Sequence, residues 1–168
     1  MKSDKNSPIA IVMGSKSDMD IMIHCINQLN AFDIHPIIRI LSAHRTPMET
    51  AAFTESASDN NFKVIIAAAG MAAHLAGAIA SRTILPIIGV PINCNTGIGG
   101  LDALLSTVQM PPGIPVATVG LGKAGAKNAA LLALQILALT DNDIKQKLTQ
   151  FRKYQRDQVL NADTEIQD

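Results

Sequence analysis

Five short apolar runs, rich in Ile and Val, recur along this chain with helix-length segments between them. The runs are Pro8–Met13, Ile34–Leu41, Lys63–Ala69, Pro86–Val90 and Pro115–Leu121. None alternates apolar with polar at period two, so each reads as a central strand buried on both faces. The intervening segments predict helices over Asp18–Asn30, Pro47–Ser58, Ala72–Thr83, Gly100–Gln109 and Lys123–Leu139. Strand–helix alternation of this kind gives an α/β fold, a three-layer αβα sandwich around a parallel sheet with right-handed crossovers. Five strands favour a flavodoxin-like order over a full dinucleotide-binding fold. A more charged amphipathic segment, Asp141–Leu160, predicts an additional C-terminal helix.

A single domain over 1–168 is expected, with a core of about 8–139 and a helical extension of about 141–160. No internal repeat, linker or low-complexity tract divides it. Met1–Ser7 and Ala162–Asp168 are polar and expected to fray. Charged residues make up only 17% of the chain, against roughly a quarter in an ordinary globular protein. A small globule so short of charge is expected to cover part of its surface with other copies of itself. The formal net charge of +0 argues against nucleic acid or an anionic membrane as partner. The two cysteines, Cys25 and Cys94, have neither zinc nor redox spacing, and read as structural thiols. The N-terminal apolar stretch stops at Gly14, too short for a signal-peptide core, and no run of about 18 apolar residues exists. A soluble cytoplasmic protein is expected.

Chemistry concentrates in the loops after the strands, because a parallel sheet sends those loops to one edge. Gly14-Ser15-Lys16-Ser17-Asp18 follows the first run and is expected to offer a ligand hydroxyls, free backbone N–H groups and a carboxylate. Gly14 permits a tight turn, and a helix N-terminus favours an anion. The loop is neither a Walker loop nor G-x-G-x-x-G, which weakens triphosphate and dinucleotide readings. The plainer alternative is that Ser17 or Asp18 only caps the helix. Ser42-Ala43-His44-Arg45-Thr46-Pro47 follows the second run. Thr46 and Pro47 are explained as N-cap and first helical residue. His44 and Arg45 have no such explanation: a guanidinium holds phosphate through paired hydrogen bonds, and imidazole suits proton transfer near neutrality. Gly70-Met71-Ala72-Ala73-His74 follows the third run, where small residues let a ligand approach the backbone. His74 either faces the site or begins a helix. His24 and His35 are placed as structural residues. Asn93–Gly100 is either a cover over the site or a long turn. Together the loops suit a phosphorylated ribose compound with a proton-transfer step beside it.

The motifs Gly14–Asp18, Ser42–Pro47, Ala69–Gly77, Gly100–Gly113 and Gly122–Ala133, in this order, resemble the N5-carboxyaminoimidazole ribonucleotide mutase (PurE) family of purine biosynthesis. The likeness runs from about Ile9 to Leu139. It implies an isomerase that moves a carboxylate from the exocyclic nitrogen of an aminoimidazole ribonucleotide to ring carbon C4, without metal or organic cofactor. It implies His44 as the acid–base residue. Arg45 would hold the 5′-phosphate, Asp18 a ribose hydroxyl, and Ser15 would donate a hydrogen bond, with Ser17 in the same loop. Ser42, Gly70, Ala72, His74 and Leu75 match secondary positions around base and carboxylate. The family likeness also implies a homo-octamer. A related branch carboxylates the aminoimidazole ribonucleotide directly with carbon dioxide, and it typically has Lys and Gly where this chain has Arg45 and Thr46. A non-catalytic nucleotide-binding module is the remaining alternative. Ala76 stands where the family commonly has proline, and its effect is expected at the start of the helix rather than on any reacting group.

Overall fold

The computed structural model describes residues 7–94 and 98–167. Its strands are β1 (Ile9–Met13), β2 (Ile37–Ile40), β3 (Val64–Gly70), β4 (Ile87–Ile92) and β5 (Ala117–Thr118). Its α-helices are α1 (Met19–Asn30), α2 (Pro47–Glu55), α3 (Leu75–Ala80), α4 (Leu101–Val108), α5 (Gly122–Leu137) and α6 (Asn142–Gln167). A single 3-10 turn, Lys16–Asp18, precedes α1. The strands form one parallel sheet in the order β2-β1-β3-β4-β5, the flavodoxin-like order expected, with helices on both sides. The chain divides into two compact units, one up to Ala133 and one from Leu134 onward. The first carries the whole sheet. The second carries the end of α5 and all of α6.

The three inner strands are what the unbroken apolar runs predict. Ile9, Ala10, Ile11, Val12 and Met13 have no exposed surface, and β4 is buried throughout. On one face, Ala10, Val12, Ile65, Ala67 and Ile87 join Leu75, Ala76 and Ile79 of α3, together with Ala57 and Phe62. Gly89 of β4 lies directly beneath α4. A Cβ there would overlap Thr107 and sit 2.9 Å from Val116 Cγ1, so the absent side chain sets how closely α4 packs. Ala76 is buried in the same cluster, and α3 still begins at Leu75.

The outer strands differ from the expectation. β2 and β5 are sheet edges and are only partly buried. β2 starts at Ile37, after Pro36, which has no N–H for a ladder. β5 is two residues long, following Pro115 in the same way. α3 is shorter than the Ala72–Thr83 expected, because Met71 takes a left-handed φ of 55° and the next residues turn before the helix begins. The cap expectations also need correction. Thr46 and Pro47 stand where predicted, but the Thr46 hydroxyl makes no cap bond; it accepts from Ser42 N–H at 2.8 Å and donates to Ser42 O at 3.1 Å. Asp18 precedes α1 without capping it.

At the termini, Met1–Asn6 and Asp168 lie outside the described residues. Ser7 is buried, and its hydroxyl donates to Ile9 O at 3.2 Å. Ala162–Gln167 continues α6 rather than fraying, so the last helix outruns its expected end at Leu160. Among the described residues no helix is long and apolar enough to cross a membrane.

Candidate active site

The register of the inner strands decides where the loops emerge. Met13 at the end of β1 pairs with Ile40 of β2 on one side and Ala68 of β3 on the other. The loops after these three strands therefore converge on one edge. The chain passes from β1 to β2 on one side and then returns past β1 to β3 on the other, so the convergence falls at the topological switch point. A cleft of about 480 Å³ opens there. Ser15, Ser17, Asp18, Ser42, His44, Arg45, Gly70, Ala72 and Leu75 all line it, as the sequence predicts. A larger cleft, about 870 Å³, lies at the opposite edge beside Ile84, Pro86 and Pro115. Its charged pair, Arg82 and Glu55, is already joined at 2.7 Å. Size does not locate the site; the convergence of polar groups does.

In the first loop the backbone is tied down by its own side chains. Gly14 N–H donates to Ala68 O at 2.9 Å, continuing the sheet by one bond. Ser15 N–H donates to Asp18 Oδ2 at 3.0 Å, and Ser17 N–H to Ser15 Oγ at 3.3 Å. The Ser17 hydroxyl donates to Ser15 Oγ at 2.9 Å. These N–H groups were expected to be free for a ligand; the loop uses them internally instead. Asp18 is 4% exposed. Burial pushes its carboxyl above the usual carboxylate range, while hydrogen bonds from the Ser15 and Gly14 backbone and the Arg45 charge pull the other way.

The second loop clasps the first. Arg45 Nη2 donates to Gly14 O at 2.8 Å, and Arg45 N–H and Nε–H both point at Ser42 Oγ, at 3.2 and 3.4 Å. Arg45 is thereby fixed in the cleft wall, close enough for its charge to act on Asp18. His44 reaches the third loop. Its Nε2 lies 3.0 Å from His74 Nδ1, with ring centroids 5.0 Å apart and planes at 86°. One nitrogen of that contact carries a proton and the other accepts it. His74 occupies the N-cap position of α3, as its helix-start reading expects; it does not line the cleft itself and touches it only through His44. His35 is structural as expected, its Nδ1 2.8 Å from Asn30 Oδ1 at the end of α1. His24 lies within α1.

Sequence reasoning missed five residues of the wall: Gly14 as a wall residue in its own right, Ala43, Ala69, Met71 and Cys94. Cys94 was read as purely structural, yet its Sγ occupies the space a Gly70 Cβ would need. Its thiol is pushed up by burial and by the nearby Asp18 and Asp102 charges. The available signal was its position two residues beyond β4, at the same sheet edge as the other loops. Cys25, in contrast, is fully buried in α1 and its thiol is pushed up to about 12. Of the Asn93–Gly100 loop, residues 95–97 lie outside the described residues.

A parallel α/β fold with polar groups converging at its switch point defines a protein that holds a small anionic ligand at the sheet edge. Comparison with known proteins narrows the class. Residues 8–158 match the AIR carboxylase family. The chain is 49% identical over 160 residues to N5-carboxyaminoimidazole ribonucleotide mutase of Escherichia coli (strain K12), covering 94% of each. It is 50% identical over 151 residues to the Brucella melitensis mutase, covering 90% of this chain and 93% of the relative. To the Bacillus subtilis mutase it is 45% identical over 158 residues, covering 94% and 97%. Among solved structures, Treponema denticola PurE superimposes with a TM-score of 0.84 at 29% identity, over 94% of this chain and 96% of that one. The chain belongs to the AIR carboxylase family.

The buried carboxylate makes a stability prediction. With its folded pKa above the ordinary 3.8, Asp18 is protonated in both states at lower pH. As pH rises past 3.8 the unfolded chain ionises first, and stability falls until the folded carboxyl also ionises. Asp18→Asn keeps an oxygen for Ser15 N–H and removes the charge. Its urea midpoint at pH 7 should exceed that of the unmodified protein, with the difference vanishing below pH 3.8. A lower midpoint at pH 7 would show that the hydrogen bonds and the Arg45 charge outweigh burial at Asp18.

Proposed function

We propose that the chain is an isomerase of purine biosynthesis. It converts N5-carboxyaminoimidazole ribonucleotide to 4-carboxy-5-aminoimidazole ribonucleotide. The observation that carries this reading is His44, which lines the same cleft as Arg45 and Asp18 and whose Nε2 lies 3.0 Å from His74 Nδ1 behind it. A phosphate-binding module needs the guanidinium but not a pair of imidazoles. The curated relatives described above, at 45–50% identity, bear the mutase name.

The chemistry follows from the placement. Arg45 receives the 5′-phosphate, and Asp18 and Ser15 receive the ribose side of the nucleotide. Ser17 and Ser42 hold those groups in place. Ala72, Gly70 and Leu75 form the wall against the base, where the absence of large side chains lets the ring approach the backbone. His44, as imidazolium, gives a proton to the exocyclic nitrogen as its bond to the carboxyl carbon breaks. Carbon dioxide and the aminoimidazole remain in the cleft. Ring carbon C4 then attacks the carbon dioxide, and neutral His44 removes the C4 proton, returning to its starting form. His74 orients the His44 ring through the shared proton. No net proton is consumed, and retention of carbon dioxide depends on a short path and exclusion of water.

The protein works as a cytoplasmic homo-oligomer, an octamer, on a small-molecule substrate and without nucleic acid. Several large apolar side chains stand in the open in one chain, Ile84 fully and Leu139 at 83%. Such side chains, in a chain so short of charge, fit a surface meant for other copies. Sedimentation equilibrium at micromolar protein should give the mass of eight chains; a single-chain mass throughout would end the proposal.

Arg45→Lys should raise KM at least about tenfold, or about 1.4 kcal/mol of binding, since an ammonium cannot reproduce paired bonds to phosphate. Unchanged KM would take Arg45 out of the site. His44→Asn should fold normally and lower kcat by about 100- to 10,000-fold, with substrate affinity little changed. With carbon-13 in the substrate carbamate, the unmodified protein should deliver most label to the C4 carboxylate despite unlabelled carbon dioxide in solution. Full activity of His44→Asn would end the acid–base role. Complete washout of label would point to direct carboxylation of the aminoimidazole ribonucleotide instead.

A further inference from the structure

The two legs of the second loop are anchored separately. Leu41 N–H donates to Met13 O at 2.9 Å, which ties the first leg to the sheet. Thr50 N–H and the Thr50 hydroxyl both donate to Thr46 O, at 3.0 and 2.8 Å, which ties the second leg to α2. Between the legs Ala43, His44 and Arg45 form a short arch, and both His44 and Arg45 are exposed. Side-chain packing does little to hold such an arch, so its hydrogen bonds decide where His44 stands.

One hydroxyl crosses the arch. Thr46 Oγ1 accepts from Ser42 N–H at 2.8 Å and donates to Ser42 O at 3.1 Å. The same carbonyl takes Thr46 N–H at 2.9 Å. A single oxygen thus engages both polar groups of the Ser42 backbone, which a hydroxyl can do because it both donates and accepts. Thr46 makes no cap bond to α2, so the usual reason for a threonine at this position does not apply. It also lies outside the wall of the cleft. The two residues that the arch presents differ in their other supports. Arg45 has Gly14 O at 2.8 Å, whereas His44 rests on its ring contact with His74 at 3.0 Å.

The geometry points to Thr46 as a positioning residue for His44, a hydroxyl stitch that fixes the arch and so the reach of the imidazole into the cleft. This rests on the acid–base reading of His44 proposed above. Thr46 itself touches no substrate. Cutting the stitch should move His44 more than Arg45, because the guanidinium keeps its bond to Gly14 O. A misplacement of about 1 Å at a reacting group costs on the order of 100-fold in rate. The loss should therefore fall on kcat rather than KM. It should also show in the fate of the carbon dioxide. Slower removal of the C4 proton gives the new carbon–carbon bond time to reopen and the fragment time to escape.

Thr46→Val replaces the hydroxyl by a methyl of similar shape, and Thr46→Ser keeps the hydroxyl. Thr46→Val should lower kcat about 10- to 100-fold with KM within about threefold, and should lose more carbon-13 from labelled carbamate than the unmodified protein. Thr46→Ser should stay within about threefold of the unmodified protein in kcat and retain the label as well. Thr54→Val is the control for helix packing. The buried Thr54 hydroxyl donates to Thr50 O at 2.7 Å, about two turns along α2, and its loss should lower the urea midpoint but leave kcat unchanged. Amide hydrogen exchange reads the stitch without turnover. Ser42 N–H should exchange at least about tenfold faster in Thr46→Val, with Ile11 N–H of β1 unchanged, and Thr46→Ser should keep its protection. Unchanged kcat in Thr46→Val, an equal loss of kcat in Thr46→Ser or Thr54→Val, or an unmoved Ser42 exchange rate overturns the positioning role. If the unmodified protein does not turn over the carbamate, the proposed reaction fails instead, and the Ser42 exchange rate still judges the stitch.

Discussion

The position of Met13 between Ile40 and Ala68 is the constraint on which the site depends. Parallel pairing on both sides of β1 ends three strands at one level. The ladder then runs on into the loops. Leu41 N–H donates to Met13 O and Gly14 N–H to Ala68 O, each at 2.9 Å. Arg45 reaches Gly14 O only because both loops leave the sheet at that level. The clasp in turn fixes the backbone of the residue beside it, His44, against His74. A one-residue slip of β1 would turn Ile9, Ile11 and Met13 to the other face and exchange them with Ala10 and Val12. The core forbids it, because those two sets differ greatly in size. Burial energy spent far from the cleft thereby holds the geometry of the cleft.

Much of this was legible in the sequence, for physical reasons that differ by element. The inner strands announce themselves because burial on both faces demands an unbroken apolar run, and β1, β3 and β4 match their predicted spans to within two residues. The edges do not, because Ile34–Leu41 and Pro115–Leu121 have similar composition while their exposure depends on having a neighbour on one side only. Helix starts were placed better than their hydrogen bonds. Thr46 and Asp18 stand at cap positions, yet the Thr46 hydroxyl serves Ser42 and the Asp18 carboxylate serves Ser15 N–H. Local sequence lists the partners a side chain can choose; tertiary packing makes the choice. His44, Arg45, Asp18 and His74 were legible because polar loops after strands must share an edge. Cys94 was not, since an apolar thiol in a wall looks the same in sequence as one in a core.

The least comfortable backbone and the most heavily desolvated charge both sit at the cleft. Met71 holds φ at 55°, a region costly for a side chain with a Cβ, within a wall where Gly70 and Cys94 compete for the same space. Burial pushes the Asp18 carboxyl above the usual carboxylate range. None of this helps the chain to fold. Each feature has a use in the proposed reaction: Met71 and Gly70 turn the third loop so that His74 can reach His44, and Asp18 presents a fixed acceptor beside Arg45. Stability and activity therefore pull against each other at these positions.

In the proposed reaction His44 is acid and then base in a single turnover, and its contact with His74 bears on how one residue does both. Between the facing nitrogens, His44 Nε2 and His74 Nδ1, there is room for one proton. Two protons would set two donors against each other at 3.0 Å. A proton carried on the other nitrogen of His44 leaves the contact with His74 intact, so in the proposed reaction the ring gives and takes that proton without losing its orientation. Fixed placement of this kind suits a reaction whose carbon dioxide fragment has to be recaptured inside the cleft before it escapes.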